Sequence, residues 1–404
     1  MYVYDEDIIN ARLNEIKNDF INCYENTFAC YAGKAFLIKY MAELVKNSGL
    51  GLDVVSGGEL MTALKANFPA EKIEMHGNAK SADEILLGVK SGVGRFIVDN
   101  PDELKILSEI SRANNFTANI LLRVSPAVNA HTHSHIATGH KNSKFGFPAE
   151  GEMLNDAVKF SMNDANINLT GLHFHVGSQL FDPIDHIQGL EKIIKVILRL
   201  KRDLDFTTQE LNFGGGLGAV KNPNLKSVAL KNFVSPLMEI LERECKVHNL
   251  LRPKAIIEPG RWIISEAGIM LYTVENVKYL PEIIYVAVNG GMADNPRIAL
   301  YGAEYDAINI NNLNGNSMTV KNNNIPVSIV GRCCESGDIL IERSNLNEAR
   351  RGDVIAIYNT GAYTFSMAGN YNKLLRPAVV FVKNGEAKLK VERQTYEELL
   401  NGEL

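Results

Sequence analysis

Cysteines at the spacing of a metal or redox site are absent from this sequence of 404 residues. Its five cysteines contain no CxxC pair, and an odd number in a chain this long excludes a disulfide framework as the basis of the fold. Cys23, Cys30 and Cys245 are therefore expected to be small buried hydrophobic residues. Cys333 and Cys334 stand side by side in GRCCESGD, where a bond between neighbours would be strained, and the local sequence leaves their role open.

An excess of basic residues and a long apolar run are also absent. The net charge is -5, so the composition gives no support for nucleic-acid binding. No apolar run approaches the roughly 20 residues that span a bilayer, and the acidic start MYVYDEDIINAR lacks the pattern of a signal peptide. We therefore expect a cytoplasmic protein with no nucleic-acid or membrane partner. With 46% hydrophobic and 22% charged residues, the length suits two globular domains.

The sequence between about residues 26 and 262 repeats one pattern, in which a short apolar run precedes an amphipathic stretch of helical period. The eight runs are TFACYAG, LDVVS, KIEMHG, RFIVDN, NILLRVS, LTGLHFHV, ELNFGGG and KAIIEPG. Eight strands alternating with helices predict an α/β fold, a parallel (β/α)₈ TIM-like barrel. The alternative is an open doubly wound sheet, which is disfavoured because no GxGxxG follows the first run.

After Trp262 the pattern changes to strand-like segments separated by turn residues. The segments are IMLYTVENVKY, IIYVAVN, VSIVG, GDVIAIYN, AVVFVKNG and KLKVERQ. They predict a second, antiparallel β domain. The predicted domains are residues 1–262 and 263–404, with the option that an N-terminal strand within residues 1–8 joins the second domain.

Polar residues stand at the ends of four of the eight runs. Lys34 follows the first, His173 and His175 end the sixth, glycines 214–216 end the seventh, and Glu258 ends the eighth. In a barrel these positions meet at the carboxyl ends of the strands, where active sites lie. A carbonyl-reactive lysine, an anion-binding glycine turn and a carboxylate for a protonated ring nitrogen together favour an anionic, carbonyl-bearing cofactor.

These residues also have structural interpretations. A lone Lys34 could be a surface lysine, and the glycines could form a flexible turn. His173 and His175 share one face of the strand, so zinc would be possible with a third ligand from HTHSH at residues 131–135. We prefer a buried histidine, or one stacked on a flat cofactor, and expect no metal.

Nine motifs occur in order along nearly the whole chain. They are YAGKA at 31–35, GLDVVSGGEL at 51–60, HTHSHIATGHKNSKFGF at 131–147, GLHFHVGSQ at 171–179, NFGGGLG at 212–218, EPGR at 258–261, ADNPRIALYGA at 293–303, CESGD at 334–338 and GAYTFSMAGNYN at 361–372. In these motifs the sequence resembles the barrel-type pyridoxal-phosphate-dependent amino-acid decarboxylases, most closely the branch that acts on diaminopimelate.

The resemblance implies a cofactor, pyridoxal 5'-phosphate, and residues that bind it. Lys34 would hold it covalently, His175 would stack on its ring, and Glu258 would keep the ring nitrogen protonated. Further cofactor contacts are implied for Ser178, Gly215, Gly216, Pro259, Gly260, Arg261 and Tyr363.

The resemblance also implies how substrate binds. Arg261, Arg297 and Tyr301 would bind the distal carboxylate of diaminopimelate and Glu335 its distal amine. A further substrate contact is implied for Tyr363.

In the family pattern, Cys334 aligns with the proton donor and acts with Lys34 and His175 in catalysis. A thiol suits proton transfer near neutral pH. The loop that carries it is donated by the partner subunit of a homodimer. Cys333 has no role in the pattern.

The implied reaction is decarboxylation of meso-2,6-diaminopimelate to L-lysine, the last step of lysine biosynthesis. Alternatives are a decarboxylase of ornithine or carboxynorspermidine, or a catalytically silent cofactor-binding relative. Gly33, Phe36 and Arg332 depart from the family pattern, where a bulkier residue, Asn and Pro are usual, and none of the three performs chemistry.

Overall fold

The structure is a computed structural model that describes residues 1–127, 143–220, 227–312, 327–344, 346 and 349–404. The chain forms two compact units. One comprises Arg12–Gly218 and Val228–Gly260, and the other comprises Met1–Ala11, Ala219–Ser227 and Arg261–Leu404.

The strands and helices of the described residues are numbered in chain order. The strands are β1 (Tyr2–Asp5), β2 (Thr27–Ala32), β3 (Gly51–Val54), β4 (Ile73–Met75), β5 (Arg95–Val98), β6 (Ala118–Ser125), β7 (Phe147–Pro148), β8 (Ile167–His173), β9 (Glu210–Asn212), β10 (Lys254–Ile257), β11 (Gly268–Tyr279), β12 (Ile284–Val288), β13 (Ala307–Asn309), β14 (Val327–Val330), β15 (Ile339–Ser344), β16 (Val354–Ile357), β17 (Val379–Lys383) and β18 (Glu386–Val391). The helices are α1 (Glu6–Ile16), α2 (Lys39–Ser48), α3 (Gly57–Lys65), α4 (Ala82–Ser91), α5 (Pro101–Ala113), α6 (Glu152–Asn163), α7 (Ile184–Leu204), α8 (Leu230–Val247), α9 (Arg261–Ile264), α10 (Arg297–Tyr301) and α11 (Tyr396–Leu400). A π-helical turn covers Lys17–Ile21, and 3₁₀ turns cover Gly33–Ala35, Ala70–Lys72, Ile310–Asn312, Phe365–Met367 and Tyr371–Lys373.

Eight parallel strands close into a barrel in the first unit. Their order is β2–β3–β4–β5–β6–β8–β9–β10, and β10 pairs with β2 to complete the ring. Each of the eight apolar runs overlaps one of these strands, so the barrel prediction is confirmed. The open doubly wound sheet is wrong because its first and last strands would not pair.

The helices around the barrel bury the faces that the sequence pattern indicated. On α7, Ile193, Ile194, Ile197 and Leu200 are buried while Lys195 is exposed. This is the apolar stripe of an amphipathic helix packed on a sheet. Among the described helices, none has both the length and the apolar character needed to cross a membrane.

A mixed β-sheet forms the second unit. The 12-residue strand β11 pairs antiparallel with β1, β12 and β16. Two strand pairs, β1 with β17 and β12 with β14, are parallel. The sheet is therefore mixed, whereas the sequence pattern predicted a purely antiparallel domain. The N-terminal strand β1 lies between β11 and β17 in this sheet, and β13 and β15 are strands that the sequence pattern did not indicate.

Candidate active site

Lys34 lies in the turn Gly33–Ala35, directly after β2. Its side chain is exposed, and its charge lowers the pKa of His175, although burial is the larger cause of that shift. Burial raises the pKa of the Asp53 carboxyl to about 6, and the neighbouring His76 imidazole and Lys34 ammonium partly oppose this rise. Lys34 therefore belongs to a group of ionisable side chains at the carboxyl end of the barrel strands.

Close packing accounts for the glycine that precedes Lys34. A Cβ atom on Gly33 would lie 2.8 Å from the carbonyl oxygen of Asp53. Because that contact is with backbone, the bulkier residue usual in the family would require β3 to shift at this position.

Glu258, which follows β10, is the centre of a buried hydrogen-bonded cluster. Its Oε1 lies 2.9 Å from Nε2 of His76 and accepts a 2.6 Å hydrogen bond from Nδ2 of Asn212. Its Oε2 lies 3.2 Å from Nε2 of His173. These contacts bring together strand ends that are far apart in the sequence.

The cluster keeps the Glu258 carboxyl ionised. Burial alone would raise its pKa, but the two imidazoles and their hydrogen bonds together lower it well below the ordinary value. Burial also lowers the pKa of His76 and of His173, so both imidazoles are neutral. An ionised carboxylate only accepts hydrogen bonds, so each Nε2 carries the proton.

Further acidic residues line the same interior. Asp53 is fully buried, and neither of its carboxylate oxygens has a hydrogen-bond partner within the part of the chain that is described. Glu74 contacts Nη1 of Arg95 at 2.5 Å. Two other nitrogens of Arg95 hold Glu210 at 2.9 and 2.6 Å.

The two histidines of the sixth run have different surroundings. His173 is buried and bonds Glu258, whereas His175 is half-buried and its pKa is lowered by burial and by the charge of Lys34. The third zinc ligand considered from residues 131–135 lies outside the described residues. His76, His173 and Glu258 each have one potential metal-ligating atom, and these three atoms lie within 4.8 Å of one another. Their direct hydrogen bonds account for that proximity.

The glycine turn after β9 leaves room only for hydrogen at several positions. A Cβ on Gly215 would lie 2.2 Å from the carbonyl oxygen of Glu258, and one on Gly216 would lie 2.6 Å from that of Gly177. Gly216 also has φ +120°, a conformation that favours glycine. Nε2 of the buried His186 on α7 bonds the Gly215 carbonyl at 2.8 Å and holds the turn. Ser178 is half-buried in the segment after β8.

A group of arginines and tyrosines lies in the second unit. The guanidinium of Arg261 lies 4.6 Å from the ring centre of Tyr363, and that of Arg297 lies 5.7 Å from it. Arg297 also donates to the hydroxyl of Tyr305 at 3.2 Å. Burial lowers the pKa of Arg261 to about 10, with Arg297 adding to the effect and the tyrosines opposing it. Tyr301 is one of those tyrosines, so the residues predicted for the distal carboxylate are close together.

The GRCCESGD loop connects β14 to β15 in the same unit. Cys334 and Glu335 are exposed, and the Cys334 amide donates to the side chain of Asn372 at 2.8 Å. Glu335 accepts a hydrogen bond from Tyr371. Cys333 is buried, its amide donates to Asp338 at 2.7 Å, and burial raises the pKa of its thiol to about 11. The two neighbouring cysteines therefore have opposite environments.

Sequence reasoning missed the polar residues of the barrel interior. They are Asp53, Glu74, His76, Arg95, Glu210 and Asn212. Glu74 and His76 alternate with apolar residues in KIEMHG, and that period of two was the available signal. In the second unit, the sequence pattern also did not indicate Tyr305, which accepts the hydrogen bond from Arg297.

These surroundings fit pyridoxal phosphate. An ionised buried carboxylate suits a protonated ring nitrogen, as at Glu258. The glycine turn, where any side chain would collide with backbone, suits the close approach of a phosphate group. Asp53 adds acceptor oxygens beside the charge of Lys34.

Comparison with known proteins agrees with this fit. The model of the family described as "Pyridoxal-dependent decarboxylase, pyridoxal binding domain" matches residues 6–265. The chain is 40% identical to diaminopimelate decarboxylase of Bacillus subtilis, over 100% of this chain and 91% of that protein. It is 37% identical to the Staphylococcus aureus protein of the same name, over 98% and 92% of the two chains.

Solved structures agree as well. The crystal structure of diaminopimelate decarboxylase from M. jannaschii matches with a TM-score of 0.90 and 34% identity, over 100% of this chain and 91% of that one. The Helicobacter pylori enzyme, complexed with L-lysine, matches with a TM-score of 0.88 and 30% identity, over 99% and 95%. The resemblance noted in the sequence motifs is thus confirmed, and pyridoxal phosphate is the cofactor that it implies. The chain belongs to the pyridoxal-dependent decarboxylase family, and the four relatives described above are diaminopimelate decarboxylases.

Proposed function

We propose that the protein decarboxylates meso-2,6-diaminopimelate to L-lysine with pyridoxal phosphate as cofactor. The observation that carries the proposal is the ionised Glu258, held by His76, His173 and Asn212 at the end of a barrel strand. A carboxylate in this state pairs with a protonated ring nitrogen. When bound, pyridoxal phosphate supplies an electron sink for the pair left behind as CO₂ departs.

In this proposal, most of the residues that hold the cofactor belong to the barrel unit, whereas Arg261 and Tyr363 belong to the second unit. Lys34 would bind it covalently, Glu258 would bind the ring nitrogen and His175 would pack on the ring. Backbone amides of the glycine turn would bind the phosphate, because successive N–H groups of such turns can converge on an anion. The further contacts proposed are Ser178, Gly215, Gly216, Pro259, Gly260, Arg261 and Tyr363.

Residues of the second unit select the substrate. Arg261 and Arg297 both bring a positive charge close to the Tyr363 ring, which favours a ligand with a carboxylate. Tyr301 adds a hydroxyl to this carboxylate site, and we assign Glu335 to the distal amine. Meso-diaminopimelate has both groups at the end distant from the reacting carbon, whereas ornithine has only the amine.

Cys334 is proposed as the acid that returns a proton to the substrate carbon after CO₂ leaves. Its exposure supports transfer to a molecule outside its own loop. By the family pattern, the loop serves the active site of the partner subunit, so we propose a homodimer with shared sites. A cytoplasmic location completes the proposal and is in line with its bacterial relatives, which are named diaminopimelate decarboxylases.

The test is a substrate comparison with the purified protein and pyridoxal phosphate. We expect CO₂ release and stoichiometric L-lysine from meso-diaminopimelate, with much slower release from L-ornithine and carboxynorspermidine. Faster turnover of ornithine would favour the alternative substrate class. An absorption band of bound cofactor without CO₂ release from any of the three would indicate a silent relative.

A further inference from the structure

Glu74 on β4 is a fully buried acid to which the family motifs give no role. It lies between the guanidinium of Arg95 and the side-chain amide of Asn212. Its Oε1 is 2.5 Å from Nη1 of Arg95, and its Oε2 accepts a 3.0 Å hydrogen bond from Nδ2 of Asn212. Glu74 therefore connects the Arg95 ion pair to the cluster around Glu258.

The side-chain amide of Asn212 forms this connection through three hydrogen bonds. Its Oδ1 accepts the Gly214 amide at 2.8 Å, which fixes the orientation of the side-chain amide. Its Nδ2 then donates to Glu74 at 3.0 Å and to Glu258 at 2.6 Å. Two buried carboxyl groups thus converge on one amide nitrogen.

The charge of Arg95 is already matched by another acid. Nε and Nη2 of Arg95 bind both oxygens of Glu210, at 2.9 and 2.6 Å. Only Nη1 is directed to Glu74. Adjacent buried carboxyl groups cannot both ionise without strong repulsion, so one keeps its proton while the other stays charged.

The surroundings decide which acid keeps the proton. The ionisable groups that act on Glu74 or lie next to it are Cys30 of β2, Asp53 of β3, His76 beyond β4, Arg95 of β5, Glu210 of β9 and Glu258 beyond β10. Burial raises the pKa of Glu74 to about 8; Arg95 opposes the rise, and Glu258 adds to it. Glu258, with two imidazole partners, is the ionised member.

We propose that Glu74 is a positioning residue that acts as a neutral carboxylic acid, sharing its proton with Glu258 and fixing the Glu258 carboxylate for the ring nitrogen of the cofactor. This role rests on the function proposed above. Two glutamates of one cluster then have different tasks, and a glutamine can replace only the neutral one.

The variant Glu74→Gln tests this because glutamine imitates a neutral acid. Glu210→Gln is the matched control, since it removes the other acid that binds Arg95. Burial would raise the pKa of Glu210, but Arg95 and Thr170 outweigh burial and lower it. Glu258→Gln removes the charge assigned to the ring nitrogen. The measurements on the holoenzymes are thermal unfolding from pH 5 to 8.5, retention of bound cofactor by absorbance, and turnover.

The expected pH dependence follows from proton linkage. Folded Glu74 keeps a proton that the unfolded chain releases above its ordinary pKa, so wild-type stability falls as pH rises from about 5 to about 8. Glutamine has no such proton, so Glu74→Gln should gain several degrees in Tm relative to wild type across that range. It should keep cofactor and turnover within about threefold, whereas Glu210→Gln should lose Tm at every pH and Glu258→Gln should lose turnover.

The opposite result would overturn the proposal. If Glu74→Gln loses Tm at every pH as Glu210→Gln does, Glu74 acts as an anion paired with Arg95. If Glu74→Gln does not fold, infrared spectra of wild type decide: a protonated carboxyl band titrating near pH 8 supports the proposal, and its absence contradicts it. Failure of wild type to release CO₂ from diaminopimelate would instead contradict the proposed function, whatever the Tm values show.

Discussion

The charge of Lys34 acts on Asp53 and His175, which are on different strands or strand ends of one barrel. Lys34→Ala should therefore change the electrostatics of the site without removing a packed core residue, because the side chain is exposed. We expect the variant to fold, to lose covalent cofactor attachment and to lose nearly all turnover. Borohydride reduction followed by peptide mapping measures the attachment, and label retained in the variant would refute the assignment of Lys34.

Arg297 is the residue that should distinguish substrates. It is half-buried beside Tyr363 and Tyr305, where an unpaired carboxylate would be costly. Arg297→Ala should weaken use of diaminopimelate by roughly 1.5–3 kcal/mol, the usual value of a charged hydrogen bond. Inhibition by ligands that lack the distal carboxylate should change far less.

The control for this measurement is Arg202→Ala on α7, an arginine whose side chain is 73% exposed. It should leave kcat/KM for diaminopimelate unchanged. Equal losses for ligands with and without the distal carboxylate would mean that Arg297 does not bind that group.

At the scale of the elements, the glycine turn after β9 has little room for a side chain in place of its glycines. Gly215→Ala would bring a Cβ to 2.2 Å from the Glu258 carbonyl, so β9 and β10 must separate there. We expect a loss of about 1–3 kcal/mol of unfolding free energy, as for other overpacked sites. Cofactor should also dissociate faster, because the turn is assigned to the phosphate.

Gly58→Ala in α3 provides the comparison, since its Cβ would meet nothing closer than the Ser56 hydroxyl at 3.8 Å. Alanine is the better helix former, so stability should stay within about 1 kcal/mol of wild type. Denaturant unfolding of both variants checks the pair. A Gly215→Ala protein as stable as Gly58→Ala would mean that the turn adjusts freely.

The barrel was predictable from sequence because each strand is a short apolar run followed by a helix of clear period, as in α7. The short strand β13 was not, since three residues, AIN, form no pattern without their partner β16. The parallel pairing of β1 with β17 was not predictable either, because it joins residues at opposite ends of the chain and no local signal encodes the register.

The same limit applies to the site. Lys34 and Glu258 were identified because they end strands, and strand ends meet in a barrel. Glu74 and Arg95 were not, because they lie within or at the start of short strands, and their ion pair depends on the parallel register of β4 and β5. The alternation of Glu74 and His76 indicated one face, but it could not show that the face is interior.

At the scale of the whole molecule, the chain divides its proposed chemistry between two units. The barrel unit contains Lys34 and Glu258, and the other unit contains the Cys334 loop. Two single variants distinguish the roles of the two cysteines in that loop. Cys334→Ala should cripple product formation, whereas Cys333→Ala should have a mild effect on turnover, because burial raises the pKa of the Cys333 thiol to about 11 and its proton is held at neutral pH.

Mixing inactive variants tests whether an active site contains residues of both subunits. If the Cys334 loop serves the partner's barrel, a mixed dimer of Lys34→Ala and Cys334→Ala chains has one site with both residues intact. Random exchange would restore about one quarter of wild-type activity, since half of the dimers are mixed and each has one intact site.

Lys34→Ala mixed with Glu258→Gln is the control. Both residues belong to the same barrel unit, so no mixed dimer has an intact site and no activity should return. Differently tagged chains verify the exchange. Recovery in both mixtures, or in neither, would count against a shared site, and a fully active Cys334→Ala chain would remove Cys334 as the acid.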